Sequence, residues 1–423
     1  QQLYVTHFFT GRVTVIDQQA YSVSGIVNIG GGSNISQFIY ISPDGKNAYL
    51  PQTRSNVTNT ALLFDSTVFP VVNVVDLSKL HLSVPKRITL DTADRPVNIP
   101  FSLAMSPDGK ILYVANAGSN DVSVIDLITN RNIAHINVGS NPRGIAIAPD
   151  GSVVFVNNVL DGTLSVINTE TNTLTDDITL TQIPLQASIL VGKKLFNSSA
   201  DPILSTDNWI SCATCHFNGM MDSRTWHGFP DGPRNTPSLS GVGATLPIHW
   251  SGDFDELQDV EITIRDIQFG DGLLTGSTND SLTSPHAGLS KQLDSLAIYM
   301  ASIPNIPSPN KKNRESIKSG RALFSNLGCN SCHVAPLYTD KQLHDVGTGD
   351  PLKEKNSHGR GTSFDTPSLN GIWMTAPYFH DGSANTLKHV LQTGNTHNIA
   401  NTLETKELEE LIAFLKSLPE PSE

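Results

Sequence analysis

The sequence predicts a multidomain chain in which an N-terminal all-β region precedes two mainly α-helical segments. Three observations support this fold class. The 423 residues exceed what a single hydrophobic core usually supports. Roughly the first 180 residues form apolar and alternating runs that are separated by hairpin signals. Apolar residues at helical spacing then precede two Cys-x-x-Cys-His strings and also close the chain.

The β region repeats one pattern. The runs LYVTHFFTGRVTVID, ILYVANAGSNDVSVID and VVFVNNVLDGTLSVIN each contain an apolar strand, a polar turn and a second, alternating strand. Asp-Gly pairs favour tight turns, so each of three such pairs should close a hairpin. The last two pairs lie 42 residues apart, about the length of one four-stranded propeller blade. The three pairs are Asp44-Gly45, Asp108-Gly109 and Asp150-Gly151.

These repeats resemble the YVTN family of β-propellers, which implies a blade scaffold and no particular activity. About four blade-like units fit into residues 1–183, fewer than the usual ring of that family. We therefore expect a small or incomplete propeller. Either the ring is small, or blades precede Gln1 in the full gene product, or a partner chain completes the ring.

From about Ala187 the predicted secondary structure changes to short helices and to loops rich in Gly, Pro and Asn. The segments VGKKLF and RESIKSGRALF are predicted helices before the two Cys-x-x-Cys-His strings, and TKELEELIAFLKSL is a predicted terminal helix. The proline-containing stretch PNIPSPNKKN is predicted to be a linker between two small domains. We therefore place two further domains at residues 187–308 and 312–423.

The two Cys-x-x-Cys-His strings carry the chemistry of the sequence, and they contain all four cysteines. Paired thiols at this spacing can add to the two vinyl groups of one haem, and the histidine that follows can bind the iron. A zinc site is the alternative, because Cys-x-x-Cys pairs also bind zinc. The repetition of the complete string favours two haem c groups. They would be attached at Cys212, Cys215 and His216, and at Cys329, Cys332 and His333.

The net charge and the haem-attachment strings indicate the type of partner and the cellular location. The net charge of −12 argues against nucleic acid or an anionic membrane as a partner. No apolar run reaches the roughly 20 residues of a transmembrane helix, and no leader is visible at the start of the sequence. Haem is normally attached to such strings outside the cytoplasm, so we expect a mature, exported protein in the periplasm or the extracellular space.

Three further motifs, TWHGFPDGPRNTPSL, IHWSGDFDEL and FDTPSLNGIWMTAPYFHDGSANTL, resemble the bacterial di-haem cytochrome c peroxidase family, which includes the maturation enzyme of methylamine dehydrogenase. The resemblance covers residues 187–418. It implies that His227 lies on the distal side of the N-terminal haem and that Trp250 assists electron transfer between the haems. The alternatives are a surface-loop histidine and a core tryptophan.

The resemblance also implies a calcium site and a structural histidine. Asn235, Thr375 and Pro377 match the calcium position of the family, through one side-chain oxygen and two carbonyl oxygens. Asn235 could instead cap a turn. His380, in the PYFHDG motif, is expected to be structural.

The sequence departs from the family at two positions. The methionine that usually binds the C-terminal haem is replaced by Gly394, so we expect His397 to bind this iron, with His389 and Met374 as competing candidates. The distal glutamate of the family would fall near Gly270. Glu261 or Asp266 could replace it as the acid/base group, or each could be a solvated helix charge. The positions concerned are Gly394, His397, His389, Met374, Gly270, Glu261 and Asp266.

Three functions follow from the resemblance. The first is peroxide reduction with electrons from a small cytochrome c or cupredoxin, which would pass from the His333 haem to the His216 haem. The second is electron transfer without catalysis, by an oligomer or a subunit of a larger redox complex with two six-coordinate haems. The third is oxidation of a protein or organic substrate, as in the maturation enzyme.

Overall fold

A computed structural model of the chain describes residues 2–354, 361–394 and 396–419. The chain divides into two compact units. Unit 1 consists of Gln1–Asn56, Leu63–Phe217 and Thr263–Leu273, and unit 2 consists of Val57–Leu62, Asn218–Ile262 and Leu274–Glu423. The predicted domain boundaries around residues 185 and 310 stay predictions.

Unit 1 contains four antiparallel sheets that follow one another along the chain. The third and fourth sheets each have four strands in sequential order, whereas the first has three and the second has six. The fold class is therefore confirmed as a strand-rich N-terminal region, and closure into a propeller stays a prediction. The strands are β1 (Gln2–Thr6), β2 (Val13–Asp17), β3 (Ser22–Val27), β4 (Ser33–Asn34), β5 (Tyr40–Ile41), β6 (Asn47–Ser55), β7 (Val68–Asp76), β8 (His81–Leu82), β9 (Ile88–Thr89), β10 (Pro100–Met105), β11 (Ile111–Asn116), β12 (Asp121–Asp126), β13 (Arg131–Asn137), β14 (Pro142–Ile147), β15 (Val153–Asn158), β16 (Thr163–Asn168) and β17 (Thr173–Thr179).

All three predicted Asp-Gly hairpins are confirmed, since they join β5 to β6, β10 to β11 and β14 to β15. Only the glycine of each pair adopts a positive φ, as at Gly109 (φ 73°). The aspartate contributes its side chain instead. The Asp108 carboxylate accepts hydrogen bonds from the Ser106 hydroxyl at 2.6 Å and from the backbone N–H of Lys110 at 3.2 Å. Each Asp-Gly pair therefore stabilises its turn in two ways: the glycine adopts the positive φ, and the aspartate side chain accepts hydrogen bonds.

The chain also contains short helices. The three predicted helical segments are confirmed within α2, α6 and α8. The helices are α1 (Leu90–Ala93), α2 (Ala187–Asn197), α3 (Cys212–Cys215), α4 (Val260–Asp266), α5 (Lys291–Ala301), α6 (Arg314–Asn326), α7 (Leu387–Val390) and α8 (Thr405–Ser417). Two small hairpins complete the list of elements, β18 (Thr225–Trp226) with β19 (Arg234–Asn235), and β20 (Leu343–His344) with β21 (Phe364–Asp365).

In unit 2, α6 and α8 pack closely together. A Cβ atom at Gly320 would lie 2.0 Å from the carbonyl oxygen of Glu410, so only glycine allows this approach. The buried rings of Phe324, Tyr338 and Phe414 form edge contacts beside the helix pair. These contacts build the core beneath the second Cys-x-x-Cys-His string.

The predicted linker PNIPSPNKKN contains no helix or strand, but it packs against unit 2. Ser308 is buried, and its hydroxyl donates a hydrogen bond of 2.5 Å to the carbonyl oxygen of Lys416 near the end of α8. The hydroxyl of Ser240 donates to the carbonyl oxygen of Pro304 at 3.0 Å. The segment is therefore a fixed connection. In the described part of the chain no helix has both the length and the apolar character needed to cross a bilayer.

Candidate haem centres

The first Cys-x-x-Cys-His string forms α3 in unit 1. Ser211 begins the helical turn, and the backbone N–H of His216 closes it by donating to the carbonyl oxygen of Cys212 at 2.8 Å. The buried amide of Asn98 holds this turn from outside: its Nδ2 donates to the carbonyl oxygen of Trp209 and to the hydroxyl of Thr214, both at 3.0 Å. The strand-rich region therefore helps to position the first string.

The thiols of both strings are available for attachment, since the four cysteines form no disulfide. Burial raises the pKa of the Cys212 thiol to about 11, so the group stays protonated at neutral pH. The Gln268 amide lies 3.9 Å from its sulfur. Each thioether forms when one S–H bond adds across one vinyl group, so the two free thiols of a string match the two vinyl groups of one haem.

An aromatic cluster lies directly after the first string. The Phe217 ring is 5.4 Å from that of Phe8 and 6.2 Å from that of Phe101, measured between centroids. The Arg143 guanidinium lies 5.0 Å from the Phe217 centroid and 5.2 Å from the Phe101 centroid. A cation over two rings stabilises their positions and places one positive charge beside the string.

The second string lies after α6 in unit 2. Gly328 adopts a φ of 77° and begins a short 3-10 turn over Cys329–Ser331. The backbone N–H of His333 donates to the carbonyl oxygen of Cys329 at 3.0 Å, and its Nδ1 lies 3.0 Å from the carbonyl oxygen of Tyr338. A carbonyl only accepts, so Nδ1 carries the proton and Nε2 is left to bind a metal. Burial lowers the pKa of His333 to about 4, which keeps the imidazole neutral.

His397 lies opposite His333. The two ring centroids are 6.4 Å apart, at an interplanar angle of 42°. Two imidazoles bound to opposite faces of one iron, with metal–nitrogen bonds of about 2.0 Å, have centroids about 6 Å apart. Burial lowers the pKa of His397, and its Nδ1 is buried without a hydrogen-bond partner in the described residues. The pair therefore fits a haem between the two rings.

The competing candidate His389 has less suitable surroundings. His389 is exposed on α7. Gly394 stands where the family has its methionine, at a φ of 76°, and a Cβ atom there would lie 2.9 Å from the carbonyl oxygen of Val346. The fold therefore selects glycine at this position. Ligation by His397 remains a prediction, as do the ligand roles of His216 and His333.

Trp250 is held at both its side chain and its backbone. Its indole N–H donates to the carbonyl oxygen of Asn235 at 2.8 Å, as expected for a half-buried tryptophan. Its own carbonyl accepts from the backbone N–H of Asp365 at 2.8 Å. The indole meets the His380 ring edge-on, with centroids 6.4 Å apart. Two segments that are distant in sequence therefore fix this ring.

Asn235 contacts the predicted calcium ligand Pro377. The Asn235 Nδ2 donates to the carbonyl oxygens of Pro377 at 2.5 Å and Phe379 at 3.3 Å, while its Oδ1 is buried without a partner in the described residues. Turning the amide over would place Oδ1 beside these carbonyls, which is the oxygen-rich environment that calcium prefers. Thr375 is close in sequence, and its hydroxyl makes a long contact of 3.5 Å to Ile372. Calcium binding stays a prediction.

His380 is packed inside unit 2, and a structural role stays a prediction. It is buried, stacks on Phe364 with centroids 3.9 Å apart, and its Nε2 lies 3.1 Å from a Glu354 carboxylate oxygen. The same carboxylate accepts from the Arg234 guanidinium at 2.7 Å. Arg234 also pairs with Asp231 at 2.9 Å. These contacts lower the pKa of Glu354 despite its burial, so the carboxylate stays ionised.

Comparisons with known proteins identify the motifs. Residues 186–270 match the di-haem cytochrome c peroxidase family model. This part of the chain is similar to the di-haem cytochrome c peroxidases. Residues 363–398 match a RoxA-like, cytochrome c-like model, and residues 87–189 match a cytochrome D1 haem domain model.

Relatives of the di-haem peroxidase domain align with 54% of the chain. The methylamine utilization protein MauG of Methylorubrum extorquens is 27% identical over 280 residues, which are 77% of its own length. The cytochrome c551 peroxidase of Nitrosomonas europaea is 25% identical over 278 residues, 78% of its length. The hydrazine synthase gamma subunit of Kuenenia stuttgartiensis is 27% identical over 280 residues, 76% of its length. Peroxide reduction is therefore supported at the level of the family.

The structure leaves no room for a side chain at Gly270, near which the distal glutamate of the family is expected. A Cβ atom at Gly270 would lie 2.6 Å from the carbonyl oxygen of Ile203 and 2.8 Å from that of Leu204. Of the two proposed substitutes, Asp266 is exposed, as a solvated helix charge would be. Glu261 is fully buried, and its carboxylate accepts from the backbone N–H of Leu274 at 3.1 Å. A catalytic role for Glu261 stays a prediction.

His227 combines a fixed backbone with an exposed side chain. Its backbone N–H donates to the carbonyl oxygen of Val57 at 2.9 Å, and its neighbour Trp226 is buried, with the indole N–H donating to Asp222 at 2.9 Å.

Sequence reasoning missed the supporting residues Asn98 and Glu354, because no local pattern marks partners more than a hundred positions away.

Proposed function

We propose that this chain is a di-haem c-type cytochrome oxidoreductase that reduces hydrogen peroxide with electrons relayed from the C-terminal to the N-terminal haem. One observation carries the proposal: relatives that include a cytochrome c551 peroxidase align over about 280 residues, which cover 54% of this chain. When bound, the haems supply irons that exchange single electrons and bind peroxide. The attachment residues are Cys212, Cys215, Cys329 and Cys332, and the ligands on the attached side are His216 and His333.

His227 is proposed as the residue that controls access to the N-terminal site. Its backbone is anchored and its imidazole is exposed, so a rotamer change requires no repacking of the core. The side chain can therefore leave without disturbing the buried Trp226 beside it. Glu261 is the acid/base group we propose for moving a proton between the peroxide oxygens.

Trp250 is proposed as the residue that assists electron passage. Its indole is oriented by the Asn235 carbonyl oxygen, and its ring faces the edge of His380. A ring with one fixed orientation keeps its coupling to its surroundings constant between turnovers. The calcium site we propose at Asn235, Thr375 and Pro377 would strengthen the same region, because the Asn235 backbone carries the acceptor for Trp250.

The electron donor is proposed to be a small cytochrome c or cupredoxin in the periplasm. Exposed apolar side chains flank the second string, with Leu327 37% exposed and Val334 45% exposed. Apolar groups at the centre of a transient interface are typical of protein–protein recognition. The net charge of −12 favours a donor with a basic surface.

A second candidate function is electron transfer without catalysis. It is favoured by His397, which would give the C-terminal iron a second strong ligand, and by Gly270, where no acid can be accommodated. Both candidates share the haem attachment. They differ in whether peroxide reaches the N-terminal iron, so a single assay on the holoprotein separates them.

The test is peroxide turnover with a reduced small cytochrome as donor, together with the electronic spectrum of the resting protein. Catalysis predicts turnover and a high-spin component, which should increase in His227→Ala. The matched control is His81→Ala, another exposed histidine, which should change neither. A purely low-spin spectrum without turnover, in the presence of both haems, would support the electron-transfer candidate instead.

His397 has its own test. Replacing His397 by Met should raise the potential of the C-terminal haem and introduce a sulfur-to-iron absorption band near the red end of the spectrum. His389→Met is the matched control, because this residue lies nearby and is exposed. If the potential and the spectrum respond only to the His389 change, the ligand assignment is wrong.

A further inference from the structure

A second polar site lies in unit 2, apart from the residues discussed so far. A cavity of about 200 Å³ is lined by four residues with oxygen-bearing side chains, by two leucines and by His286. His286 is fully buried. The oxygen-bearing side chains belong to Thr275, Ser277, Thr278 and Asn279.

Two carboxylates fix the orientation of His286. Its Nδ1 lies 2.8 Å from Asp259 Oδ1 and 3.6 Å from Glu256 Oε1. Glu256 also accepts the backbone N–H groups of His286 and Ala287, which holds the loop in place. A carboxylate oxygen accepts, so Nδ1 carries a proton, and a metal ion binds an imidazole in its neutral form. Nε2 is then left with its lone pair.

The Nε2 atom of His286 differs from Nδ1 in its surroundings. It is buried and has no hydrogen-bond partner among the residues that the structure describes. A buried polar atom without a partner destabilises the fold, so native proteins usually supply a ligand, a water or an ion at such a position. Since His286 lines the cavity, the missing partner of Nε2 would reside there.

Local charge indicates what that partner is. Neither Glu256 nor Asp259 pairs with a lysine or arginine in the described parts of the chain, so no such side chain balances the two carboxylates beside the imidazole. A histidine oriented by a carboxylate on Nδ1 and free on Nε2 is a recurring arrangement at metal centres, and imidazole suits zinc and its neighbours. The negative charge favours a dication over an anion or a neutral molecule.

We propose that His286 binds a divalent transition-metal ion of the zinc class through Nε2. Asp259 is a positioning residue that orients the ring and increases its basicity. Oxygen atoms of the cavity, together with water, complete the coordination. The site is separate from haem attachment and does not depend on peroxide turnover.

The experiment uses the holoprotein, first treated with a chelator and then titrated with Zn²⁺ in equilibrium dialysis, with metal content measured by mass spectrometry. We expect one zinc equivalent in the native protein and in the surface control His81→Gln. In His286→Gln the affinity should fall at least tenfold. Equal zinc binding by native protein and His286→Gln would overturn the proposal and assign the cavity to water.

A second variant keeps the test decisive if His286→Gln does not fold. Asp259→Asn retains an acceptor for Nδ1 but removes its charge, and it should weaken zinc binding by about 10–100-fold. With Cu²⁺ as the probe, pulsed EPR should detect one imidazole nitrogen in both native protein and Asp259→Asn. Unchanged affinity in Asp259→Asn, or a copper signal without imidazole coupling, would refute the assignment.

Discussion

Replacing Gly270 by Ala tests whether backbone packing excludes a side chain at this position. The added Cβ atom would lie 2.6 Å from two backbone atoms, the carbonyl oxygen of Ile203 and the carbonyl carbon of Leu204. Ordinary contact begins near 3.4 Å, so the two segments must separate by about 0.8 Å. Hydrogen bonds such as that from the Gly272 N–H to the Ile203 carbonyl oxygen, at 2.9 Å, oppose the separation.

The expected cost is about 1–3 kcal/mol of unfolding free energy, the usual range for an overpacked site. Gly270 does not have a positive φ, so backbone strain does not contribute to this cost. Gly31→Ala is the matched control, because Gly31 also lacks a positive φ and a Cβ atom there meets nothing within 4 Å. The control should be neutral or slightly stabilising, since alanine restricts the unfolded chain.

The assay is urea unfolding of the holoprotein, followed by far-ultraviolet circular dichroism. Gly270→Glu, which restores the residue type of the family, should be at least as unstable as Gly270→Ala and should not increase peroxide turnover. The reasoning fails if Gly270→Ala is as stable as Gly31→Ala, or if Gly270→Glu folds normally and gains activity.

Three further predictions concern attachment, pH and packing. Mass spectrometry of the denatured chain should detect two haem additions, and finding one or none would contradict the attachment sites. Burial alone lowers the pKa of His135, but hydrogen bonds with Asp121 and Asp94 outweigh it and raise the pKa to about 9. The imidazolium therefore stabilises the fold fully below its ordinary pKa of 6.5. This contribution, at most about 3 kcal/mol, is lost as pH rises through 9, and His135→Gln should abolish that loss in urea titrations. Gly320→Ala should destabilise the protein by about 1–3 kcal/mol despite the better helix propensity of alanine, because its Cβ atom would meet the Glu410 carbonyl oxygen; a rise in melting temperature would contradict this.

Local chemistry made part of the structure predictable. The Asp-Gly turns, the helical spacing in α6 and α8, and the haem-attachment strings each depend on neighbouring residues, and the first two match the structure. The partners that position the sites depend on distant residues. Asn98 reaches the hydroxyl of Thr214, 116 positions away, and Arg234 reaches Glu354, 120 positions away. Such pairs form only when the chain has folded, so a single sequence carries no pattern that identifies them.

The ion pair between Arg234 and Glu354 has a mechanical consequence. Arg234 follows the first string and Glu354 follows the second, yet both belong to unit 2 and both are buried. Ser308 fastens the segment between them to the end of α8. The stretch that carries Trp250 therefore cannot swing independently of the stretch that carries His380. A redox-driven displacement of either stretch would have to break the buried contacts of Glu354 with Arg234 and His380 or carry the other stretch with it.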